Sequence, residues 1–169
     1  MRFFIDHNLS PQLISPLVSI HPKHSFRCAL HEDLAAAKDI PLFSELVDRQ
    51  FEAIITRDRN QLADPDECAA LRASGLHWLG VKDTGVPGLL GLALDSAAIT
   101  VGLTIVLPEL ESGQQAYRFP AIPHQSRQRA KPIDISPRSR HSSHGPPGLT
   151  VNIPLVVGQQ AGMGVGVEM

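Results

Sequence analysis

Short apolar runs alternate with helix-like patterns along residues 1–121, and this alternation constrains the fold more than any other feature of the sequence. Four runs read as strands and a fifth is a candidate edge strand: RFFID, KHSFRCAL, EAIIT, LHWLGV and YRF. Strands that alternate with helices favour right-handed crossovers and a mostly parallel sheet. We therefore expect an α/β fold.

The segments between these runs predict helices. Ser10 is a favourable N-cap and Pro11 suits a first helical turn, whereas Pro16 shortens or bends the helix that follows. Asp39 is predicted to cap a second helix. The apolar face of that helix is expected to contain Ile40, Leu42, Phe43, Leu46, Val47 and Phe51.

Two further helices are expected before the candidate edge strand. The stretch DPDE supplies the cap and first-turn acids of a short helix from Asp66 to Ala73. A long apolar helix from Leu89 to Leu107 is stopped by Pro108. Because this segment carries Asp95 and several small or hydroxyl residues, it is marginal as a membrane span. A buried or amphipathic helix is favoured, and no membrane association is expected.

Composition divides the chain near Pro120. Residues 1–121 carry 10 Lys+Arg and 15 Asp+Glu, a net charge of −5, whereas residues 122–169 carry 5 and 2, a net charge of +3. The later segment is basic and then rich in Gly and Pro, which is typical of disorder. We predict one domain over 1–121 and a disordered tail over 122–169. Two cysteines make no disulfide framework, so a cytoplasmic setting is the simplest.

Three acids stand where ligands bind in open parallel sheets. Asp6 ends the first strand, Asp58 follows the third, and Asp39 lies at a helix start reached from the second. Ligands of such sheets lie outside the carboxyl ends of the strands. Clustered carboxylates repel one another, and Mg²⁺ or Mn²⁺ would remove that conflict and activate a water for phosphodiester cleavage. The alternatives are that Asp39 is only a helix cap and Asp58 only a turn residue.

Polar neighbours of these acids have two interpretations each. Asn8 could orient Asp6 or contact a phosphate, and a local Asx turn is the alternative. Arg57 and Arg59 flank Asp58, so one of them could hold a phosphate bidentately, although both could equally be solvated surface arginines.

Asp64 and Asp66 are candidates for a fourth acid, but helix N-capping explains either one more simply. The eight histidines do not cluster at metal-ligand spacing and stay unassigned.

Four stretches in this order resemble the PIN-like nuclease domains, and in particular the small VapC-like proteins of bacterial toxin–antitoxin loci. The matching text covers roughly residues 1–110 and consists of FFIDHNLSP, KDIPLFSELV, AIITRDRN and, less distinctly, DPDECAALRASGLHWLGV. No single motif is specific, and the order and spacing carry the resemblance.

The resemblance implies a compact three-layer α/β/α domain that acts as a metal-dependent endoribonuclease and toxin. Asp6, Asp39 and Asp58 look like its catalytic and metal-binding residues, with Mg²⁺ or Mn²⁺ as the cofactor. Asn8 matches a frequent Asn of the first motif, and Thr56 matches a hydroxyl residue before the Arg-Asp pair. The expected partners are an RNA substrate and a cognate antitoxin protein, and a homodimer is a candidate assembly.

Several departures from the family pattern keep two other hypotheses open. His7 stands where similar sequences often have Glu or Asn, Pro16 lies in the first helix, and HPKH replaces an expected Gly. These departures favour a catalytically degenerate binding module. A receiver-type phospho-acceptor domain is the other alternative, and Lys82 after a later strand suggests it. Its mechanism needs a carboxylate pair that His7 breaks, and a fifth parallel strand that the sequence does not identify.

Overall fold

The structure is a computed structural model that describes residues 1–123. It contains one five-stranded, wholly parallel sheet with strand order β2-β1-β3-β4-β5. The strands are β1 (Arg2–Ile5), β2 (Ser25–Cys28), β3 (Ala53–Thr56), β4 (His77–Val81) and β5 (Ala116–Phe119). Apart from residues 122 and 123, the tail predicted over 122–169 lies outside the described residues.

Helices cover both faces of the sheet, as the α/β prediction requires. They are α1 (Ile14–Ile20), α2 (Asp39–Asp48), α3 (Asn60–Ala63), α4 (Pro65–Ser74) and α5 (Gly88–Val106). A short 3₁₀ turn, Pro11–Leu13, leads into α1, and Ser10 caps it by accepting a hydrogen bond from the Gln12 N–H group. A second turn, Leu110–Ser112, follows α5.

Each face of the sheet has its own hydrophobic core because successive strand residues point to opposite sides. Phe3, Ile55 and Leu79 face α1 and α5, whereas Phe4, Ile54 and Trp78 face α2 and α4. β3 and β4 are buried at every position, as expected of central strands in a parallel sheet that is covered on both sides. The three-layer α/β/α architecture is therefore confirmed for the described residues.

The last crossover departs from the expected handedness. Both β2–α2–β3 and β4–α5–β5 run in the same direction along the sheet, but α2 lies on one face and α5 on the other. The two connections therefore have opposite hands, and the expectation of uniformly right-handed crossovers is wrong. Gly102 allows α5 to pack against β5 here, since a Cβ at this position would come within 2.4 Å of the Phe119 ring.

Several local predictions need correction. Asp39 is the first residue of α2 rather than its N-cap. The N-cap is Lys38, and the Lys38 side chain makes no capping hydrogen bond. Ile40 and Val47, expected on the buried face of α2, are 46% and 43% exposed. The buried stripe of α2 consists of Leu42, Phe43 and Leu46 and is narrower than the periodicity suggested. α3 was not predicted either, because four residues are too few to show a helical period.

The candidate edge strand YRF is a true fifth strand, β5, and pairs with β4 in parallel. This removes one of the two objections to a receiver-type domain, since five parallel strands are present. The other objection, that His7 replaces the second carboxylate, still applies.

α5 is long and apolar enough to cross a membrane by length and composition alone. It packs against the sheet through Ile99 and Leu103, which are fully buried, whereas 33% of its 18-residue apolar window is buried in all.

Candidate functional site

Asp6 is the centre of a hydrogen-bond network at the carboxyl ends of β1 and β3. It is 2% exposed. Its Oδ2 accepts from Thr56 Oγ1 at 2.7 Å and from Asn8 Nδ2 at 2.8 Å, and its Oδ1 accepts from the His7 N–H at 2.7 Å. The His7 Nδ1 lies 2.8 Å from the same Oδ1. A buried carboxylate with this many donors has its charge well compensated.

The Thr56 hydroxyl links Asp6 to Asp58. Thr56 is fully buried, and its Oγ1 accepts from the Asp58 N–H at 2.9 Å while it donates to Asp6. The Asp58 carboxylate accepts from the Asn60 N–H at 2.7 Å, at the start of α3. One hydroxyl therefore fixes both acids relative to each other.

Arg57 anchors the same edge to α5. Its guanidinium forms an ion pair with Asp95, and its backbone N–H donates to Asn8 Oδ1 at 3.0 Å. Burial raises the pKa of Asp95 above its ordinary value even though Arg57 opposes that rise. The charge of Arg57 is thus paired with Asp95 within the protein, whereas the side chain of Arg59 is exposed. The Asn8 side chain joins Asp6 to Arg57 instead of closing a local turn.

Asp39 is held by a second, buried network. Gln61, on α3, donates from Nε2 to the Asp39 carboxylate and accepts through Oε1 from Trp78 Nε1 at 3.1 Å. Gln61 is fully buried and Trp78 is 2% exposed. The chain Asp39–Gln61–Trp78 therefore connects the start of α2 to α3 and β4. The sequence pattern does not single out Gln61, because an isolated glutamine in a helix gives no signal.

Glu67 is a half-buried acid that the sequence places only in the first turn of a helix. Burial raises its pKa, and the negative charges of Asp39, Asp64 and Asp58 raise it further, in that order. Its Oε2 is buried without a hydrogen-bond partner among the described residues. Asp64, in contrast, is the N-cap of α4 and accepts from the Asp66 and Glu67 N–H groups. Glu67 thus shares a negative field with two of the three predicted acids.

A family model described as a PIN-like domain matches residues 1–82. Residues 1–82 are a PIN-like domain. PIN-like domains are generally nucleases, bind nucleic acid and use divalent metals. No curated protein and no solved structure matches the chain.

The PIN-like match ends within the sequence that follows β4. It includes Asp6, Asp39, Asp58 and Glu67, so all four acids belong to the matched segment. α5 and β5 lie beyond it, together with Asp95 and Arg118.

The acids of this PIN-like domain are of the chemical type that binds hard divalent cations. Asp39, Asp58 and Glu67 offer carboxylate oxygens, and the unpartnered Oε2 of Glu67 is an oxygen that a cation would satisfy. Within residues 1–123, no three His, Cys, Asp or Glu side chains lie close enough together to form a metal site by themselves. Mg²⁺ does not require such a cage, because it commonly takes one or two carboxylates with waters and substrate phosphates.

Proposed function

We propose that this protein is a metal-dependent endoribonuclease that cleaves RNA phosphodiester bonds. The observation that carries the proposal is Glu67, whose buried oxygen lacks a partner while Asp39 and Asp58 add to the negative field around it. Carboxylates that raise the pKa of a buried neighbour in this way are costly to ionise without a cation. It occurs in a segment that belongs to a family of nucleases.

Asp6, Asp39 and Asp58 are the proposed catalytic and metal-binding acids, and Glu67 joins them as the fourth. Mg²⁺ or Mn²⁺ would activate a water and stabilise the leaving oxygen. Thr56 and Asn8 position Asp6 and the Arg57–Asp58 turn through the hydrogen bonds described above. Gln61 does the same for Asp39.

We also propose a biological role for this nuclease. The resemblance of four stretches, in their order and spacing, to VapC-like proteins supports a toxin that acts on cellular RNA in the cytoplasm. A cognate antitoxin protein and a homodimer belong to the same proposal.

Cleavage of structured and messenger RNA by the purified chain tests the proposal. Cleavage should require Mn²⁺ or Mg²⁺, stop with EDTA, and fall by at least about 100-fold in Asp58→Asn, the range expected when an electrostatic catalytic group is lost. Asp48→Asn is the matched control, since Asp48 is an exposed acid at the end of α2. Equal cleavage by wild type and Asp58→Asn would reject the assignment of the site.

A catalytically degenerate binding module is the second candidate. The observation that favours it is the complete engagement of Asp6, whose two oxygens already accept from Thr56, Asn8 and His7. This hypothesis predicts RNA binding without cleavage, and no rise in the thermal midpoint when Mn²⁺ is added. A rise that is lost in Glu67→Gln would contradict it, because ligands that bind the native state stabilise it.

A further inference from the structure

A cleft with a positively charged rim lies over the carboxyl ends of β4 and β5. Its volume is about 640 Å³, within the range of pockets that hold a ligand of drug-like size. Its lining residues are Arg57, Arg59, Trp78, Gly80, Val81, Lys82, Asp83 and Arg118. We call this surface the basic cleft.

Three cations of the basic cleft have no acidic partner among the described residues. Residues 1–121 contain ten Lys and Arg, of which Arg2, Arg27, Arg49 and Arg57 form ion pairs, so six are left. Arg59, Lys82 and Arg118 are half of those six, and all three are exposed. With Asp83 their formal charge is +2 (three cations minus one acid), in a domain whose net charge is −5. A group of cations on a domain whose net charge is negative indicates a binding site for an anionic ligand.

The floor of the cleft includes Trp78 and Gly80. Thr56, Gly80 and Arg118 are register partners across β3, β4 and β5, so these three positions face the same side of the sheet. A Cβ on Gly80 would come within 2.0 Å of the Trp78 ring, so the glycine allows the ring to lie across this position. Two strand spacings separate Thr56 from Arg118, a distance of roughly 10 Å.

Two residues that line the basic cleft are linked to the predicted acids. Arg59 directly follows Asp58, and Trp78 in its floor is hydrogen-bonded to Gln61, which holds Asp39. An anionic chain in the cleft would therefore contact residues that adjoin Asp58 and the Asp39 network.

We propose that the basic cleft binds the phosphodiester backbone of the RNA substrate through Arg59, Lys82 and Arg118, next to the acidic site. This inference rests on the proposed ribonuclease function and adds the path of the substrate, including β5, which lies outside the family match. The contacts are to phosphate, so they are blind to base sequence. An acidic peptide is the less suitable occupant, because residues 1–82 match a family of nucleases. Arginine binds carboxylate and phosphate alike, so the two occupants are separated by competition below.

Binding of a fluorescein-labelled single-stranded RNA, measured by anisotropy in EDTA across a salt series, tests the cleft apart from catalysis. The full-length double variant Lys82→Ala/Arg118→Ala should bind about tenfold more weakly at low salt. The slope of log K against log salt should fall in magnitude by about 1.4, that is, two phosphate contacts at about 0.7 each.

Lys23→Ala/Arg72→Ala is the matched control, since it removes one exposed lysine and one exposed arginine that lie outside the cleft. It should bind as wild type does. Both double variants should keep the urea midpoint of the wild type, because all four side chains are exposed.

The outcomes separate this inference from the proposed function. A loss of affinity in the cleft variant alone supports the cleft, even if no RNA is ever cleaved. Wild-type affinity in the cleft variant, an equal loss in the control, or no RNA binding by wild type would overturn it. If cleavage that depends on Asp58 persists in that case, the nuclease proposal stands without the cleft. Poly-glutamate of equal charge that competes as well as RNA would also overturn it, in favour of an acidic protein partner.

Discussion

At the scale of single residues, Thr56 determines how the two strand-end acids lie relative to each other. Its hydroxyl donates to Asp6 and accepts from Asn8 and from the Asp58 N–H, all within 3.0 Å. A hydroxyl is the smallest side-chain group that can donate and accept at once. This explains why a polar residue occupies the last, fully buried position of β3.

Replacing Thr56 with valine keeps the shape and removes this hydroxyl. We expect Thr56→Val to lower the free energy of unfolding by about 1–3 kcal/mol, because the buried Asp6 and the Asp58 N–H each lose a partner. Urea unfolding with linear extrapolation measures the change. Thr104→Val is the control, since that hydroxyl is exposed and only donates to its own helix at Thr100. An equal loss in both variants would show that the Thr56 network contributes nothing.

At the scale of secondary-structure elements, β5 is joined to β4 by backbone pairing and by one histidine. His77, at the start of β4, is 8% exposed, and its Nδ1 accepts from the Gln115 N–H just before β5. Burial lowers the pKa of His77 below its ordinary value of 6.5, against the opposing effect of Glu52. The ring must be neutral at Nδ1 to accept this bond.

This histidine should make stability depend on pH. With a lowered pKa, the folded chain binds fewer protons than the unfolded chain near pH 6.5. His77 therefore makes its full contribution to the free energy of unfolding above the unfolded-state pKa. This contribution is lost as the pH falls through 6.5 towards the folded-state pKa. Measured between about pH 7.5 and about pH 5.5, the unfolding free energy should decline less in His77→Asn, which keeps an acceptor but does not titrate.

The control for this experiment is His31→Asn, at an exposed histidine. Its pH profile should follow the wild type. Identical profiles for wild type and His77→Asn would contradict the role assigned to His77.

The elements themselves were predicted well where the pattern was strong. All five strand-like runs are strands, and the helices that begin near Pro11, Asp39, Asp66 and Leu89 are present. The predictions that failed concern α3, the exposure of Ile40 and Val47, and the hand of the last crossover. Each of these depends on how elements pack, which local periodicity does not contain.

At the scale of the whole molecule, the described part of the chain combines an acidic surface with one basic cleft. The net charge of −5 over residues 1–121 differs from the strongly basic profile expected of a general DNA-binding domain. The sheet nevertheless brings Arg59, Lys82 and Arg118 to one edge from three strands or strand ends. A local field of this kind can steer a phosphate chain even on an acidic protein.

The predicted boundary near residue 121 remains a prediction that truncation can test. A chain that ends at Pro123 should unfold in one cooperative transition, with a free energy within about 0.5 kcal/mol of the full-length value. The reason is that, among residues 1–123, both hydrophobic cores and every strand pair lie within residues 1–119. Urea unfolding followed by circular dichroism measures this. A truncated chain without a cooperative transition would show that residues 124–169 are part of the folded unit.

The sequence by itself determined the α/β class, the strand positions and the family, because apolar runs and their spacing are local properties that any strand or helix must satisfy. It also placed Asp6 and Asp58 at strand ends. Only the tertiary structure decided that Thr56 joins these two acids, that Gln61 holds Asp39, that Glu67 shares their field, and that β5 completes a basic cleft. These features depend on contacts between segments that are distant in the chain, such as Asp6 and Thr56, which are 50 residues apart, and Asp39 and Gln61, which are 22 apart. Such contacts are fixed by sheet order and helix packing rather than by any pattern within one segment.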